Sequence, residues 1–171
     1  MVGSSGSGKT TTAASIGGKL GLPHVELDAL HWLPGWTEAE LTVFREKVAQ
    51  ALAGPTWVVD GNYSSVRDIT WSRADTLVWL DLPLPLVLIR LFNRTMHRWI
   101  TREELWSGNR ENLREAFFSK DSLFLWMLKS RKKHRRDYPR LVSEPEYAHL
   151  SVIHLTSVAQ VDAWLKSLTD G

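Results

Sequence analysis

A glycine-rich segment near the start of the chain, Gly3-Ser-Ser-Gly-Ser-Gly-Lys-Thr10, constrains the fold more than any other feature of the sequence. Its spacing is G-x-x-x-x-G-K-[ST] without exception. Glycine at positions 3, 6 and 8 allows backbone conformations closed to other residues, so that successive N–H groups can turn inward around an anion. A flexible Gly/Ser linker is the alternative, but a Lys-Thr pair that opens an amphipathic helix is not typical of linkers.

The side chains of this segment predict a site for Mg·ATP. Lys9 brings a positive charge to the β- and γ-phosphates, and the hydroxyl of Thr10 can ligate Mg²⁺. A helix that begins at Lys9 points its positive end at the same phosphates. The residues that we expect to contact the nucleotide are Gly3, Ser4, Ser5, Gly6, Ser7, Gly8, Lys9, Thr10 and Thr11.

The hydrophobic pattern after this segment alternates between helix and strand. Strands are predicted at His24–Leu27, Thr56–Val59, Thr76–Leu80 and Ser151–Leu155. Helices are predicted from about Lys9 to Leu20, Leu41 to Leu52 after a capping box at Thr37–Glu40, Leu84 to Glu103, Leu113 to Arg136, and Val158 to Leu168. The alternation indicates an α/β fold, a three-layer parallel sheet with helices on both faces, in a single domain of residues 1–171. Only Met1 and Val2 precede Gly3, so we expect the first strand to be cut short.

The composition is that of a globular domain large enough to bury a core, with 171 residues, 43% of them hydrophobic and 23% charged. There are no cysteines, which excludes disulfides and thiolate chemistry. No apolar run approaches the roughly 18 residues that a membrane span needs, and no signal-peptide pattern opens the chain. We therefore expect a cytoplasmic location and no membrane partner.

Three aspartates follow predicted strands, at the edge where open α/β sheets bind ligands. Asp60 is placed to hold the water shell of Mg²⁺. Asp28 is a candidate to orient or deprotonate an acceptor hydroxyl, because a carboxylate can act as a general base. Asp81 precedes Leu-Pro, a context in which aspartate more often supports a turn.

Four arginines recur at intervals of four residues, which places them along one face of a predicted helix. They are Arg90, Arg94, Arg98 and Arg102. Neighbouring cations repel one another, and phosphates would supply the missing anions. Arginines that close over a γ-phosphate also stabilise the charge of the transition state. We therefore take Arg94, Arg98 and Arg102 as catalytic candidates in a helical lid at about residues 90–136. The alternative is that the arginines face water or pair with Glu103 and Glu104.

Positive charge is concentrated in this lid segment. Between Arg90 and Arg136 there are 13 Lys and Arg against 5 Asp and Glu, whereas the remainder has 8 against 14. The densest part, Arg131-Lys-Lys-His-Arg-Arg136, could bind nucleic acid through its phosphates. No nucleic-acid-binding module accompanies it, so a solvated helix end is the favoured interpretation.

These motifs resemble the adenylate-kinase-like P-loop proteins grouped as DNA topology modulation proteins. The resemblance spans nearly the whole chain and rests on the arginine helix and on Gly3–Thr10, Leu27-Asp-Ala-Leu-His-Trp32, Pro34-Gly-Trp36, Val59-Asp-Gly-Asn-Tyr63 and Trp79-Leu-Asp-Leu-Pro83. It implies a sheet with strand order 2-3-1-4-5 and a mobile lid on the arginine segment.

The resemblance also implies an acceptor pocket lined by Asp28, His31, Trp32 and Trp36, although His31 could simply pack against the tryptophans. Adenylate kinases carry Asp-Gly-Phe-Pro-Arg, whose arginine grips the acceptor phosphate. This chain has Asp60-Gly-Asn62-Tyr63 with no arginine directly after it, which leaves Arg67 or Arg73 for that role. We therefore add Asn62, Tyr63 and Arg67 to the expected pocket.

The sequence thus predicts an ATP-dependent kinase that phosphorylates a small molecule or a nucleotide, whose identity the sequence does not give. A different interpretation is a nucleotide-dependent regulatory protein that hydrolyses ATP slowly and binds nucleic acid or a protein through residues 131–136. A third is an impaired relative that binds ATP without turnover.

Overall fold

Strands and helices alternate along the chain, so the protein belongs to the predicted α/β class. The computed structural model describes residues 1–118 and 122–168. The strands are β1 (Val2–Gly3), β2 (His24–Glu26), β3 (Trp32–Leu33), β4 (Thr37–Glu38), β5 (Val58–Asp60), β6 (Thr76–Leu80) and β7 (Ser151–Leu155). The helices are α1 (Lys9–Leu20), α2 (Leu27–His31), α3 (Leu41–Ala51), α4 (Arg67–Trp71), α5 (Leu84–Thr101), α6 (Leu113–Phe118), α7 (Leu123–Leu141) and α8 (Val158–Ser167). Short 3-10 turns lie at Pro34–Trp36, Ser64–Val66, Trp106–Gly108 and Pro145–Tyr147.

Parallel pairing organises five of the seven strands. β6 lies between β1 and β7 in one parallel sheet, and β2 pairs in parallel with β5. Two hydrogen bonds join the two groups, because the amino group of Met1 donates to the oxygen of Val59 at 2.7 Å and the N–H of Gly61 donates to the oxygen of Met1 at 3.3 Å. β3 and β4 form a separate antiparallel hairpin. Within each parallel pair the carboxyl ends share one edge, which is where the chain places its glycine-rich loop and its aspartates.

The side chains of β6 alternate between two hydrophobic clusters, as the period-two geometry of a strand requires. Val78 and Leu80 join the first cluster, together with residues of α1, α5 and α8. Leu77 and Trp79 join the second, with Trp71 of α4 and with residues of α7. This burial on both sides explains why β6 is an apolar run without polar interruption. A third cluster packs α3 against α2 and β5.

The structure corrects two of the predicted helix boundaries. Thr37 does not cap α3, since it is paired opposite Leu33 in the β3–β4 hairpin. The cap is Glu40, whose carboxylate accepts hydrogen bonds from the N–H groups of Thr42 and Val43. The single helix predicted from Leu113 to Arg136 is two helices, α6 and α7, and α7 continues through Pro139 to Leu141. Residues 119–121 between them lie outside the described part of the chain.

Several other predicted elements have the bounds that the sequence indicated. α1 runs from Lys9 to Leu20 and ends at Gly21, which has a φ of 63° and donates its N–H to the oxygen of Gly17. β6 and β7 also begin and end at the predicted residues. Within the described residues, no helix has both the length and the apolar character that crossing a bilayer demands.

Neighbouring glycines in α1 provide a matched test of its packing. A Cβ on Gly17 would lie 2.9 Å from the backbone oxygen of Leu22, whereas a Cβ on Gly18 would meet nothing within 4 Å. Alanine is favoured over glycine inside a helix by about 0.5–1 kcal/mol, so we expect Gly18→Ala to raise the free energy of unfolding by that amount. Gly17→Ala should lower it by about 1–3 kcal/mol, because backbone must move to admit the methyl group. Chemical denaturation measures both, and stabilisation by Gly17→Ala would contradict the close contact.

Candidate functional site

The loop between β1 and α1 requires glycine for steric reasons. Gly3, Gly6 and Gly8 have φ angles of 146°, 81° and 93°, a region that side chains with a Cβ rarely adopt. A Cβ on Gly3 would lie 2.5 Å from the backbone oxygen of Leu80, and a Cβ on Gly6 would lie 2.8 Å from that of Val87. The loop is therefore seated tightly between the end of β6 and the first turn of α5.

The loop has polar groups that lack hydrogen-bond partners and lie next to the N-terminal end of a helix. The hydroxyls of Ser4 and Ser7 are buried and have no hydrogen-bond partner among the described residues. Buried unpaired hydroxyls cost free energy, which a bound acceptor or donor would recover. Gly8 is the N-cap of α1 and supplies no side-chain cap. The N-terminal end of α1, which carries partial positive charge, therefore lies directly after the loop.

Lys9 connects the loop to the two predicted carboxylates. Its Nζ donates to the backbone oxygen of Ser4 at 3.2 Å. Burial lowers the pKa of Lys9, while the negative charges of Asp60 and Asp28 act to raise it. The ammonium group of Lys9 is therefore held at the loop while it interacts electrostatically with both aspartates.

Thr10 and Asp60 form a pair of oxygen ligands at the start of α1 and the end of β5. The Thr10 hydroxyl donates to Oδ2 of Asp60 at 2.7 Å, and the other carboxylate oxygen is 2.8 Å from Nε2 of His24. Mg²⁺ is commonly held by one or two protein oxygens, with phosphates and water completing its shell. The pair fits that chemistry. The described residues hold no group of three or more His, Cys, Asp or Glu side chains that could bind a metal ion alone.

On the other side of Lys9, Asp28 is held by a tyrosine. Oδ1 of Asp28 accepts a hydrogen bond from the hydroxyl of Tyr63 at 2.5 Å. Burial raises the pKa of Tyr63, and the charge of Asp28 raises it further, so the hydroxyl keeps its proton and remains a donor. Asp28 is thereby oriented, with Oδ2 accepting no hydrogen bond from the residues that the structure describes.

Aromatic rings surround this carboxylate. His31, Phe44 and Tyr63 pack against one another with ring centroids 4.5–5.1 Å apart. Trp32 and Trp36 meet edge to face at 5.5 Å. The structure therefore brings together Asp28, the histidine, both tryptophans and Tyr63 of the predicted pocket. Phe44 was missed, because as a regular apolar position of α3 it carries no signal that separates it from the core.

Two predicted pocket residues make contacts that the sequence did not indicate. Oδ1 of Asn62 accepts the N–H of Gly3 at 3.1 Å, and its amide nitrogen donates to the oxygen of the same glycine. Asn62 therefore positions the glycine-rich loop. The guanidinium of Arg67 lies 5.0 Å from the ring centroid of Trp71, and Arg73 donates to backbone oxygens at the end of α3. Arg67 also lines a pocket of about 10 Å³ together with Asn62 and Tyr63.

The arginine stripe divides into two halves. Arg94 donates from Nη2 to the Ser5 hydroxyl at 3.0 Å, while its buried Nε has no partner among the described residues. Burial lowers the pKa of Arg94, and the charge of Arg98 lowers it further. Arg90 also reaches the loop, since its Nη1 is 3.6 Å from the position of a Cβ on Gly8. This half of the stripe therefore lies on the loop.

The other half faces away from the loop. Arg98 forms ion pairs of 3.6 Å with Glu103 and with Glu111. Arg102 is exposed and ends α5 with a φ of 52°. A cavity of about 470 Å³ separates them from the segment that follows, and its walls are Arg98, Trp99, Ile100, Arg102, Arg110 and Glu111. The predicted pairing with acidic neighbours thus describes Arg98 and not Arg94.

Asp81 organises the densest basic segment, a role that the turn interpretation missed. Asp81 is buried and forms ion pairs with Arg131 at 3.2 Å and Arg135 at 2.8 Å, and its Oδ2 is 3.5 Å from Nε2 of His154. The expectation of a solvated helix end is wrong for Arg131, which is only 7% exposed. Lys132, Lys133 and Arg136 are exposed as expected, but they lie within α7 and not at its end.

α7 also brings a histidine near the loop. Burial lowers the pKa of His134 to about 4, and the positive charge of Lys9 is the next largest cause. The imidazole ring stacks on Tyr138, with centroids 4.7 Å apart. No sequence pattern separates His134 from the surrounding basic run.

A loop between α5 and α6 holds the β3–β4 hairpin in place, and we call residues 105–110 the latch loop. Asn109 is buried, accepts the N–H of Trp36 at 2.9 Å and donates to the oxygen of Leu33 at 2.9 Å. Ser107 donates to the oxygen of Trp32 at 2.7 Å, and the indole of Trp106 donates to Glu26 at 3.2 Å. These contacts join segments more than 70 residues apart, so no local sequence pattern could reveal them.

The chain matches no family model, no curated protein and no solved structure. The resemblance to adenylate-kinase-like proteins therefore rests on the motif residues alone. The chemistry of the site has to be inferred from its own geometry.

Removal of the Asn109 side chain tests the latch loop. Asn109→Ala leaves the buried N–H of Trp36 without its acceptor, which should cost about 1–3 kcal/mol of stability. We expect hydrogen exchange at the Trp36 amide to accelerate, as measured by NMR. Asn93→Ala, an exposed position of α5, is the matched control and should leave that amide unchanged. Equal exchange rates of the Trp36 amide in Asn109→Ala and the wild type would contradict the role of Asn109 in holding the hairpin.

Proposed function

We propose that the protein is a P-loop phosphotransferase, which transfers the γ-phosphate of Mg·ATP to a hydroxyl of a small acceptor. The observation that carries the proposal is the position of Lys9. Its Nζ donates to the oxygen of Ser4 in a glycine loop with buried, unpaired hydroxyls. The next residue, Thr10, forms the oxygen pair with Asp60, and Tyr63 orients the carboxylate of Asp28. An anion, a divalent cation and an acceptor hydroxyl would meet at these three groups.

The arrangement of strands supports the proposal. The hydrogen bonds between Met1 and β5 favour a continuous sheet in the order β2-β5-β1-β6-β7, which is the 2-3-1-4-5 order expected from the resemblance. The two clusters that take alternate side chains of β6 favour helices on both faces, hence three layers. Such a sheet binds ligands beyond its carboxyl edge, where this loop lies.

The nucleotide would be held by the N–H groups of the loop and by three cations. Lys9 would neutralise the β- and γ-phosphates, while Arg94 and Arg90 lie along the loop from the α5 side. Thr10 and Asp60 would hold Mg²⁺, which supplies charge neutralisation between the phosphates. Arg98 and Arg102 would act only if the lid segment moved, since both lie farther along α5.

Asp28 would direct the acceptor. Its Oδ2 would accept the proton of the acceptor hydroxyl as the oxygen forms a bond to the γ-phosphorus and the bond to the leaving ADP breaks. Tyr63 fixes the other carboxylate oxygen, so the group is held in one orientation. The latch loop holds the hairpin through Asn109 and Ser107, and a hairpin that covered the bound acceptor would limit access of water and wasteful hydrolysis.

The regulatory interpretation has less support. It needs the cations of residues 131–136 on the surface, yet Arg131 and Arg135 are both paired with Asp81. Arg136 is paired with Asp137, which leaves Lys132 and Lys133 as the cations of that segment without an ion pair among the described residues. Two lysines are a small surface for nucleic acid. The kinase interpretation uses the buried residues of the site and is therefore preferred.

The release of ADP from Mg·ATP, measured with a panel of hydroxyl compounds, tests the proposed function. We expect acceptor-dependent release, which Lys9→Met should reduce by about 10²–10³ because a preorganised charge at the transferred phosphate is lost. Lys47→Met, an exposed position on α3, is the matched control and should retain full activity. Release that is equal in Lys9→Met and the wild type would exclude transfer at this loop.

A further inference from the structure

We infer that the acceptor carries no phosphate or other anionic group, and that it is a neutral or cationic compound that offers several hydrogen-bond donors. This inference rests on the proposed function, and it names the acceptor class of the same site. It excludes the nucleoside monophosphates that adenylate kinases phosphorylate.

Negative charge dominates the acceptor end of the site. Asp28 lies at its inner end, and Glu38 lies on the hairpin with Oε1 3.9 Å from Nε2 of His31. Glu26 is at the end of β2, where the indole of Trp106 donates to it. A phosphorylated acceptor would bring its own charge of nearly −2 close to these carboxylates, and like charges at short distance destabilise binding.

The arginines that could have balanced these carboxylates are engaged elsewhere. Arg67 lies over Trp71, and Arg45 makes a bidentate ion pair with Asp68 at 2.6–2.9 Å. Arg110 of the latch loop pairs with Glu104 at 2.6 Å. Arg94 donates to Ser5 on the nucleotide side. A bidentate arginine is the usual partner of a bound phosphate, and among the described residues no arginine forms an ion pair with Asp28, Glu26 or Glu38. Arg67 does line a pocket with Asn62 and Tyr63, but its volume of about 10 Å³ has room for one water molecule and not for a phosphate group.

Hydrogen-bond capacity leads to the same conclusion. Three donors at this end are already satisfied, since Tyr63 donates to Asp28, the Trp36 indole donates to Arg110 and the Trp106 indole donates to Glu26. What remains is mostly acceptors: Oδ2 of Asp28 and the carboxylate of Glu38. Nδ1 of His31 is also buried without a partner among the described residues. Phosphate oxygens are acceptors only, whereas hydroxyl and ammonium groups supply the donors that these atoms need.

The aromatic walls favour a ligand with a flat or apolar face. Trp32 and Trp36 are half-buried and meet edge to face, and the buried ring of Phe44 packs against Tyr63. Rings of this kind stack on sugars and planar groups, and they attract cations above their faces. A hydroxyl-rich ring compound, with or without an amino group, could stack on the aromatic rings and donate hydrogen bonds to the free acceptor atoms.

Calorimetric titration of the full chain in Mg²⁺ tests the inference without knowledge of the true acceptor. The probes are ATP and dinucleoside pentaphosphates, in which adenosine is joined through five phosphates to adenosine, guanosine, uridine or thymidine. If the acceptor site excludes nucleoside phosphates, each pentaphosphate should bind with a Kd within about tenfold of that of ATP. Any pentaphosphate that binds more than tenfold tighter than ATP would overturn the inference, because its second nucleotide would occupy the acceptor site. Failure of ATP itself to bind would instead overturn the proposed function and remove the basis of the inference.

A charge-reversal variant tests the electrostatic argument. Glu38→Lys should tighten pentaphosphate binding by about two- to fivefold while ATP binding stays unchanged, because one repulsive charge becomes attractive. Glu46→Lys, an exposed position of α3, is the matched control for net charge. An equal gain in both variants, or none in Glu38→Lys, would overturn the role assigned to the carboxylates of the pocket.

Discussion

The glycine-rich loop lies closer to its neighbours than any side chain would permit. At Gly3 the backbone of β6 lies where a Cβ would have to be, and at Gly6 the backbone of α5 does. Asn62 then fixes the loop from the β5 side through both polar atoms of its amide. This close packing of the loop determines where α1 begins, and therefore where Lys9 and Thr10 lie relative to Asp60. The rest of the site is arranged around that point.

Charge is separated across the site in a way that the proposed chemistry would use. Lys9, Arg90 and Arg94 line the loop side, whereas Asp28, Glu26 and Glu38 line the side of the hairpin. In the proposed reaction, the positive half would bind the anionic nucleoside triphosphate, and the negative half would bind the hydroxyl-bearing acceptor. The partly buried setting strengthens each interaction, because the effective dielectric constant is lower than that of water.

The sequence predicted the parts of this protein that depend on local pattern. The loop, α1, β6 and β7 follow from glycine spacing, capping and β-branched runs over a few residues. The approach of Asp28 and Tyr63 was also anticipated, through the resemblance. The β3–β4 hairpin was not, since Thr37–Glu40 satisfies a capping box locally, and pairing with Leu33 overrides it. The hydrogen bonds of Asn62 to Gly3 were not predicted, because nothing in the sequence tells an amide that holds backbone from one that faces a ligand.

The contacts that could not be predicted are all long-range. Asn109 and Trp36 are 73 residues apart, and Arg135 and Asp81 are 54 apart. An isolated asparagine in a loop or an arginine in a basic run has many possible partners, and only the folded backbone selects one. Arg94 and Arg98 illustrate the same limit, because they are neighbours in one regular stripe on α5 and yet have different partners. Arg94 donates to the hydroxyl of Ser5, whereas Arg98 pairs with Glu103 and Glu111.

A crystal structure of the full chain with Mg²⁺ and a non-hydrolysable ATP analogue tests the central claim most directly. The account predicts that the β- and γ-phosphates occupy the loop, with Lys9 Nζ moved from the oxygen of Ser4 to phosphate oxygens at about 2.7–3.0 Å. It also predicts the metal ion beside Thr10 and Asp60. A nucleotide bound elsewhere, with the loop free of phosphate at saturating concentration, would contradict the assignment of the site.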